Sequence, residues 1–587
     1  MTLQKSAPRP SYARLRALSL VAVHVAILLH ILHWKLNGRT LAPLELNELM
    51  YTLEAGIITA GFLFMVLVCA SVLVFGRFFC SWGCHILALQ DSCAWLMRKL
   101  GIKPRVVRVK ALALVPLGAM LYMFVWPQIQ FLWFGRLRPT LHTAGEASGW
   151  ASFVTSDFWR NLPPPGIALL TFVFCGFVIV ALMGDRAFCK YACPYGAIFA
   201  ILERFAPGRI SKTGDCNACG LCTASCTSDI QVHQELATYG QVVDSACLRD
   251  LDCLNACPDA AIGFRFQKPP IFGRATLPGS KPVPAKATMF SRAEEIWFLL
   301  SYVPLVWILR GLYGVVPLLL SLALAGMMGY LGVIAWRLLR TDSVKLVRIQ
   351  LKSRGQLRSG GRLVLAISVL MIAFLTHSAL IQLHTSRAKQ AVAALSETPD
   401  PQLVKDGLEA YGFIDSWGLL STEGSSHGLA LLHRAQGDLL IAENSFPGAL
   451  NAYLLAVQGL PQDPVLHFNL GRLLSQAGRP EQAILHYQQS VALSPDDPEG
   501  LNNLAYMLLG VGQPVQAEAH LVRALSLKPD YANAHFLLGR LKYEGGAPEQ
   551  AMGHFRRAAE LDASLAQWLR EFELEEAEAS RLQGAPR

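Results

Sequence analysis

Apolar residues in this chain first gather in long stretches with few polar breaks. Leu15–Trp34, Thr52–Phe75, Ala111–Trp133, Gly166–Met183 and Leu363–Leu383 are of this kind, each close to the roughly 20 residues that cross a hydrocarbon core. Ile296–Leu339 is mostly apolar over 44 residues, with interruptions at Arg310, Gly311 and Gly314. One helix of that length is too long for a bilayer, so the pattern predicts two spans joined by a tight turn.

A different register takes over between residues 427 and 562, where positions recur every 34 residues: Gly478, Gly512 and Gly546; Pro480, Pro514 and Pro548; Ala483, Ala517 and Ala551. Gly437, Ala449 and Tyr453 extend it one unit earlier. Small residues where two helices touch, a turn glycine and a large residue such as Tyr487, Leu521 or Phe555 make the tetratricopeptide (TPR) pattern. Four helix pairs of this kind stack into a solenoid whose groove suits a peptide or partner protein. The acidic residues Glu571, Glu573, Glu575, Glu576 and Glu578 predict a solvated capping helix over 563–587.

Charge orders these segments. Of 587 residues, 53% are hydrophobic and the formal charge is +10. Lys and Arg sit at the ends of apolar runs, so the charge reads as orientation in a lipid bilayer and nucleic acid is not an expected partner. Residues 1–14 form a basic tail without a small-residue cleavage site, so the first span is expected to be retained. Arg77, Arg98, Lys99, Lys103, Arg105, Arg108 and Lys110 mark 76–110 as cytoplasmic, and Arg337 to Arg362 holds eight basic residues against Asp342. Residues 134–165 are then an external loop with Trp150 and Trp159 as interface anchors. A final span at 363–383 should carry the repeats outside, to the periplasm of a bacterial inner membrane, while residues 206–266 stay in the cytoplasm.

The chemistry sits in those residues. Cys216, Cys219, Cys222 and Cys226 are spaced C-x2-C-x2-C-x3-C, and Cys247, Asp250, Cys253 and Cys257, followed by Pro258, repeat the spacing with one Asp. Thiolates at these intervals wrap a cubane iron–sulfur cluster and send the fourth ligand to a neighbouring one; zinc sites do not call for such steps continued into x3-C-P. The expected ligand sets are Cys216, Cys219, Cys222 and Cys257 for a first 4Fe–4S cluster, and Cys226, Cys247, Asp250 and Cys253 for a second. Asp250 leaves three readings open: a weak carboxylate ligand, a three-iron (3Fe–4S) cluster, or a solvated side chain beside a three-iron cluster. Asp229–Val232 and Gln241–Val243 have the look of small capping strands, with Gly240 as the turn.

A second cysteine pattern lies upstream. Arg77-Phe78-Phe79-Cys80-Ser81-Trp82-Gly83-Cys84-His85 is echoed by Arg186-Ala187-Phe188-Cys189-Lys190-Tyr191-Ala192-Cys193-Pro194, an internal repeat of a two-helix unit. The pairs Cys80/Cys84 and Cys189/Cys193 can meet in a four-thiolate site, with a third cluster, a copper site and a dithiol pair as the open readings; Cys69, Cys93 and Cys175 fit as small apolar residues. His24, His30 and His33 in the first span are candidates for haem ligation or quinol proton contact, without an obvious partner His on another span.

Four spans, paired C-x3-C motifs and a trailing two-cluster ferredoxin resemble the NapH, NosR and CcoG group of membrane-bound polyferredoxins over about residues 10–265. The resemblance implies electron transfer between quinone, or a cytoplasmic donor, and a respiratory or copper-handling redox partner protein. His85 stands where that group has the proline of C-x3-C-P, and Asp250 and Thr227 also depart from its pattern. The expected fold is an α-helical multi-pass membrane protein with an inserted two-cluster ferredoxin-like (α+β) module and a C-terminal all-α TPR solenoid. Its divisions are a tail (1–14), a four-helix unit (15–205), the ferredoxin module (206–266), a Pro-rich linker (267–294), a membrane hairpin (295–340), a basic loop (341–362), a seventh helix (363–383), a linker or helical region (384–426), the repeats (427–562) and the acidic end (563–587). The leading functional reading is an iron–sulfur electron-transfer protein whose TPR domain docks its partner. The alternatives are an accessory copper reductase for assembly of a respiratory enzyme and a TPR scaffold with structural clusters; an enzymatic role is open between a quinol dehydrogenase-like and a metal-reducing component.

Overall fold

The computed structural model describes residues 11–583 apart from 103, 105, 134–138, 146–151, 160–163, 273–275, 285, 347–348, 396–399 and 421–424. Most of the basic tail and the residues Lys103, Arg105, Trp150 and Arg274 lie outside that set, as do the side chains of Glu575, Glu576 and Glu578. The chain forms two compact units, Met1–Ala379 and Leu380–Arg587.

Among the described residues five helices are long and apolar enough to cross a membrane: Tyr12–Asn37, Lys110–Trp133, Pro165–Met183, Leu318–Arg340 and Ser359–Ala394. The expected span Thr52–Phe75 is broken. Its helical part is only Ala60–Phe75, 16 residues, with Thr59 as a hydrogen-bonding N-cap. The break is at Gly56, in the left-handed region at φ 74°, where any Cβ would lie 2.3 Å from the Thr140 carbonyl oxygen. A loop pressed this closely to the backbone admits only glycine. The predicted hairpin is present as Arg292–Leu309 and Leu318–Arg340. Tyr302 donates across it to the Leu322 carbonyl at 3.0 Å, and Arg337 reaches Glu294 at 2.6 Å, so both arms end together. The basic loop folds into a three-stranded antiparallel sheet of Val344–Leu346, Ile349–Ser353 and Gln356–Leu357.

The ferredoxin region is framed by different strands from those expected. Gly208–Lys212 pairs antiparallel with Ile262–Phe266, in register from Gly208–Phe266 to Lys212–Ile262. Gln241 contributes only an isolated bridge to Ser211, and Val232–Tyr239 is a helix that Gly240 caps at φ 69°. The turn expected at Gly240 is therefore a helix end, and the segment after it only a strand edge. Beneath this sheet Glu203 is fully buried. Its carboxylate accepts from the Arg77 backbone N–H at 3.0 Å, from Arg209 at 3.1 Å and from the Arg249 guanidinium.

In the second unit, Asp463 and Asp497 cap the helices Pro464–Gln476 and Pro498–Gly510, each with Pro at the first helical position, which satisfies orphan amides and pre-sets φ. Small residues face rings across each helix pair. A Cβ on Gly437, Gly471 or Gly539 would lie 2.5, 2.9 or 2.7 Å from the ring of Tyr453, Tyr487 or Phe555. At the same position of the third repeat the pair is Ala505 and Leu521: the extra methyl goes with the smaller partner. The solenoid begins earlier than the 34-residue period does, because Pro401–Trp417 brings Gly407 against Leu432. The end helix Ala563–Gln583 is more than a solvated cap, since Trp568, Leu569 and Phe572 pack on Phe555.

Two outcomes follow. Gly471→Ala should destabilise the repeats by about 1–3 kcal/mol through overpacking, and Gly471→Ala/Tyr487→Leu, which copies Ala505 and Leu521, should recover much of the lost melting temperature. Glu203→Ala leaves Arg209 and Arg249 buried without a carboxylate, a loss of about 3–5 kcal/mol, and limited proteolysis should then cut within 206–266 while the repeats stay resistant.

Candidate functional site

Two cysteine loops in the ferredoxin region have the same backbone. Ala218 and Gly220 lie in the left-handed region at φ 57° and 74°, and their counterparts Arg249 and Leu251 at 58° and 62°; Asp229 and Ala260 continue the match at 59° and 55°. Non-glycine residues hold this conformation at a cost of about 1–3 kcal/mol each, and such strain gathers at functional sites. Its recurrence places Asp250 where Cys219 stands in the first loop.

Cys216, Cys219, Cys222 and Cys257 line one cavity together with His233, whose Nδ1 lies 2.8 Å from the Thr223 hydroxyl. Cys216 and Cys219 are exposed, so this site opens to solvent. Cys247 and Cys253 are buried in an apolar cluster with Ile210, Ile230, Val242 and Leu254, and Cys226 packs against it. Burial, followed by the nearby Cys247, pushes the Cys226 thiol up to about 12, and Cys253 is raised by burial and then by Cys247, Asp250 and Cys226. Free thiols gathered like this oppose one another's ionisation; a bound cation reverses that balance.

Asp250 is buried and engaged. Its carboxylate accepts from Arg186 at 2.9 Å and from the Thr227 hydroxyl at 2.7 Å. Burial pushes this carboxyl up, but Arg186, Thr227 and Arg16 together hold it below the usual carboxylate range. Of the three readings of Asp250, the solvated side chain is thereby corrected: only 5% of the residue is exposed.

The C-x3-C pairs come together. Cys80 lies in the short helix Phe78–Trp82 and Cys84 caps His85–Lys99; Cys189 lies in Ala187–Tyr191 and Cys193 caps Pro194–Leu202. Each motif therefore bridges two helices instead of occupying one helix end. Cys189 lies within electrostatic reach of Cys84, Cys193 and Cys80. Arginine binds this quartet to the second ferredoxin loop: Arg77 donates to the Ser245 carbonyl at 3.1 Å while neighbouring Cys80 and Cys193, and Arg186 neighbours Cys189 while holding Asp250. Trp82 donates to the Arg249 carbonyl at 3.0 Å, and Arg16 bridges Asp91 at 3.3 Å and Asp252 at 2.9 Å.

The residues fit iron–sulfur clusters. Cys216, Cys219, Cys222 and Cys257 surround one cavity, the four-thiolate lining that a cubane cluster takes. The buried guanidinium of Arg77 hydrogen-bonds Cys80, that of Arg249 hydrogen-bonds Cys247, and Arg186 stands beside Cys189. Donors of that kind suit the anionic sulfur of a cluster. Arg249, Glu203 and His233 are not singled out by the sequence, which shows Arg77 and Arg186 only as the matched first residues of the two motif copies and Arg77 as an inside charge. His24, His30 and His33 are not brought together: they contact the Leu20 carbonyl, the Leu41 carbonyl and the Thr40 hydroxyl. His24 does have a histidine neighbour on another helix, His85.

Known proteins share parts of this sequence. The 4Fe-4S binding domain family matches residues 57–103 and 166–213, one C-x3-C motif in each, and tetratricopeptide repeat families match 421–496, 486–519 and 508–570. The chain is 30% identical over 173 residues to the methylamine utilization ferredoxin-type protein MauN of Methylobacillus flagellatus, covering 29% of this chain and 52% of that one. It is 26% identical to YccM of Escherichia coli, covering 38% and 62%, and 23% identical to the ferredoxin-type protein NapH of Haemophilus influenzae, covering 32% and 62%. The chain thus spans between half and two thirds of these relatives' lengths. Paired 4Fe-4S binding domain matches, ferredoxin-type relatives and tetratricopeptide matches together support a polyferredoxin with a tetratricopeptide domain.

Proposed function

We propose that this chain is a multi-pass membrane protein that conducts single electrons between a soluble donor or quinone and a redox partner recruited by its TPR domain. The observation that carries this reading is the convergence of Cys80, Cys84, Cys189 and Cys193 against the loop of the second ferredoxin site, tied by Arg77 and Arg186. Bound iron–sulfur clusters supply one-electron chemistry at three places; the chain's own residues decide how they are reached and held. Exposed Cys216 and Cys219 give a soluble partner access to the first site. Burial of Cys247 and Cys253 excludes water from the second. Arg77, Arg186 and Arg249 offset the negative charge of thiolates and raise the affinity of their sites for electrons.

The third site is proposed as a cluster of the paired thiols rather than a copper site, supported by the match of the 4Fe-4S binding domain family to each motif copy. For the second site we favour three irons, because Arg186 and Thr227 engage the Asp250 carboxylate and Asp250 takes the place of the missing thiolate. Five apolar helices and ferredoxin-type relatives support a place in the bacterial inner membrane. With Ala60–Phe75 and Arg292–Leu309 counted as further crossings, the basic residues of 76–110 and 337–362 support a cytoplasmic ferredoxin region and basic loop, with the repeats on the other side.

Cys80→Ser/Cys189→Ser is expected to lower bound iron by about four atoms per chain in anoxically reconstituted full-length protein. Unchanged iron with lost copper binding would instead favour an accessory copper-handling role. Paramagnetic resonance of the oxidised wild type should show a three-iron signal that Asp250→Cys abolishes; an oxidised wild type without that signal contradicts a three-iron second site.

A further inference from the structure

Two repeats of the solenoid contain the same histidine arrangement. His467 on Pro464–Gln476 faces His486 on Pro480–Leu493, Nδ1 to Nδ1 at 3.0 Å, and His535 on Ala532–Glu544 faces His554 on Pro548–Leu561 at 3.1 Å, each pair separated by 19 residues. The second pair is the first carried two repeats further along the 34-residue period. The surroundings recur as well. His467 Nε2 lies 3.2 Å from the Pro461 carbonyl and His535 Nε2 lies 2.9 Å from the Pro529 carbonyl.

Those carbonyls fix the tautomer. An oxygen that can only accept requires N–H at Nε2, which leaves Nδ1 of His467 and His535 as a bare lone pair directed toward the facing ring. Fixing one ring nitrogen by a backbone carbonyl so that the other can ligate is the usual second shell of a metal-binding histidine. The spacing agrees: two nitrogens bound at about 2.0–2.1 Å to one ion lie about 2.9–3.4 Å apart, according to the angle between them. His486, His535 and His554 are partly open to solvent, so an ion can enter.

The fold does not need these pairs. At the same two positions the intervening repeat has Leu501 and His520, and the preceding one has His433 and Ala452. Leu501 is buried in the core shared by all the repeats, so a leucine serves the packing.

We infer that His467/His486 and His535/His554 are two equivalent binding sites for a first-row divalent cation of the zinc class. Imidazole nitrogens suit such borderline ions. Each pair supplies two ligands, and water or a docked partner's side chain completes the coordination. An ion there clamps the two helices of one repeat without altering the repeats between and before.

Zinc itself is the probe. Full-length protein is first reconstituted with iron and sulfide so that its cysteines are occupied, then titrated with Zn(II), and the wild type is compared with His467→Leu/His535→Leu. That variant copies the Leu501/His520 pair that the solenoid already accommodates, and circular dichroism checks its helix content. Wild type should bind two more equivalents of zinc than the variant, with nitrogen and oxygen neighbours in zinc X-ray absorption, and His467→Leu alone should lose one. Equal zinc in wild type and variant, or a purely sulfur shell, overturns the inference. His486→Ala/His554→Ala, altered at the more exposed rings, must give the same loss of two equivalents.

Discussion

Cysteine sulfurs crowded into an apolar setting can ionise only when something positive shares it, and the N-terminal unit is arranged around that constraint. Cys247 and Cys253 are buried, Cys226 is packed against them, and burial together with neighbouring sulfur holds their protons on. Iron supplies positive charge from within such a cage. Arginine supplies it from outside: Arg77, Arg186 and Arg249 are all nearly or fully buried, each beside cysteine. Buried guanidinium ions need partners of their own. Glu203 and Asp250 fill that role, and so bind the ferredoxin region to the helices.

Asp250 illustrates how one substitution can serve two ends. At the backbone position that Cys219 occupies in the first loop, a carboxylate replaces a thiolate, and the ion pair with Arg186 ties that loop to the second C-x3-C motif. On the proposed three-iron reading, the carboxylate that holds Arg186 stands where the first loop offers a cluster ligand. The equivalent arginine of the first motif, Arg77, instead reaches the Ser245 carbonyl. The two motif copies thus grip neighbouring points of one loop.

What could be read from the sequence was local. The cysteine spacings, the 34-residue period, the hairpin interrupted at Gly311 and Gly314, and the matched motif copies all lie within short windows. What could not be read depends on residues far apart. Glu203 meets Arg249 across 46 positions and Arg77 across 126, and Arg186 meets Asp250 across 64. The break at Gly56 arises because residues 139 and 140 press on it. Strand assignment around Gly240 failed for a related reason: Val232–Tyr239 is short and half apolar, and only the pairing of Gly208–Lys212 with Ile262–Phe266 decides which segment is sheet.

The two units follow different physics. The solenoid is held by neighbour-to-neighbour packing of small residues on rings, so it tolerates changes one repeat at a time. The ferredoxin region depends on ligands and buried charge, so it stands or falls with its metal. Iron X-ray absorption with Mössbauer spectroscopy on anoxically prepared full-length protein tests that dependence most directly. The account predicts tetrahedral iron surrounded by sulfur, in amounts that require the C-x3-C thiols as well as the ferredoxin cysteines. Background iron, or iron with a nitrogen and oxygen shell, would contradict it.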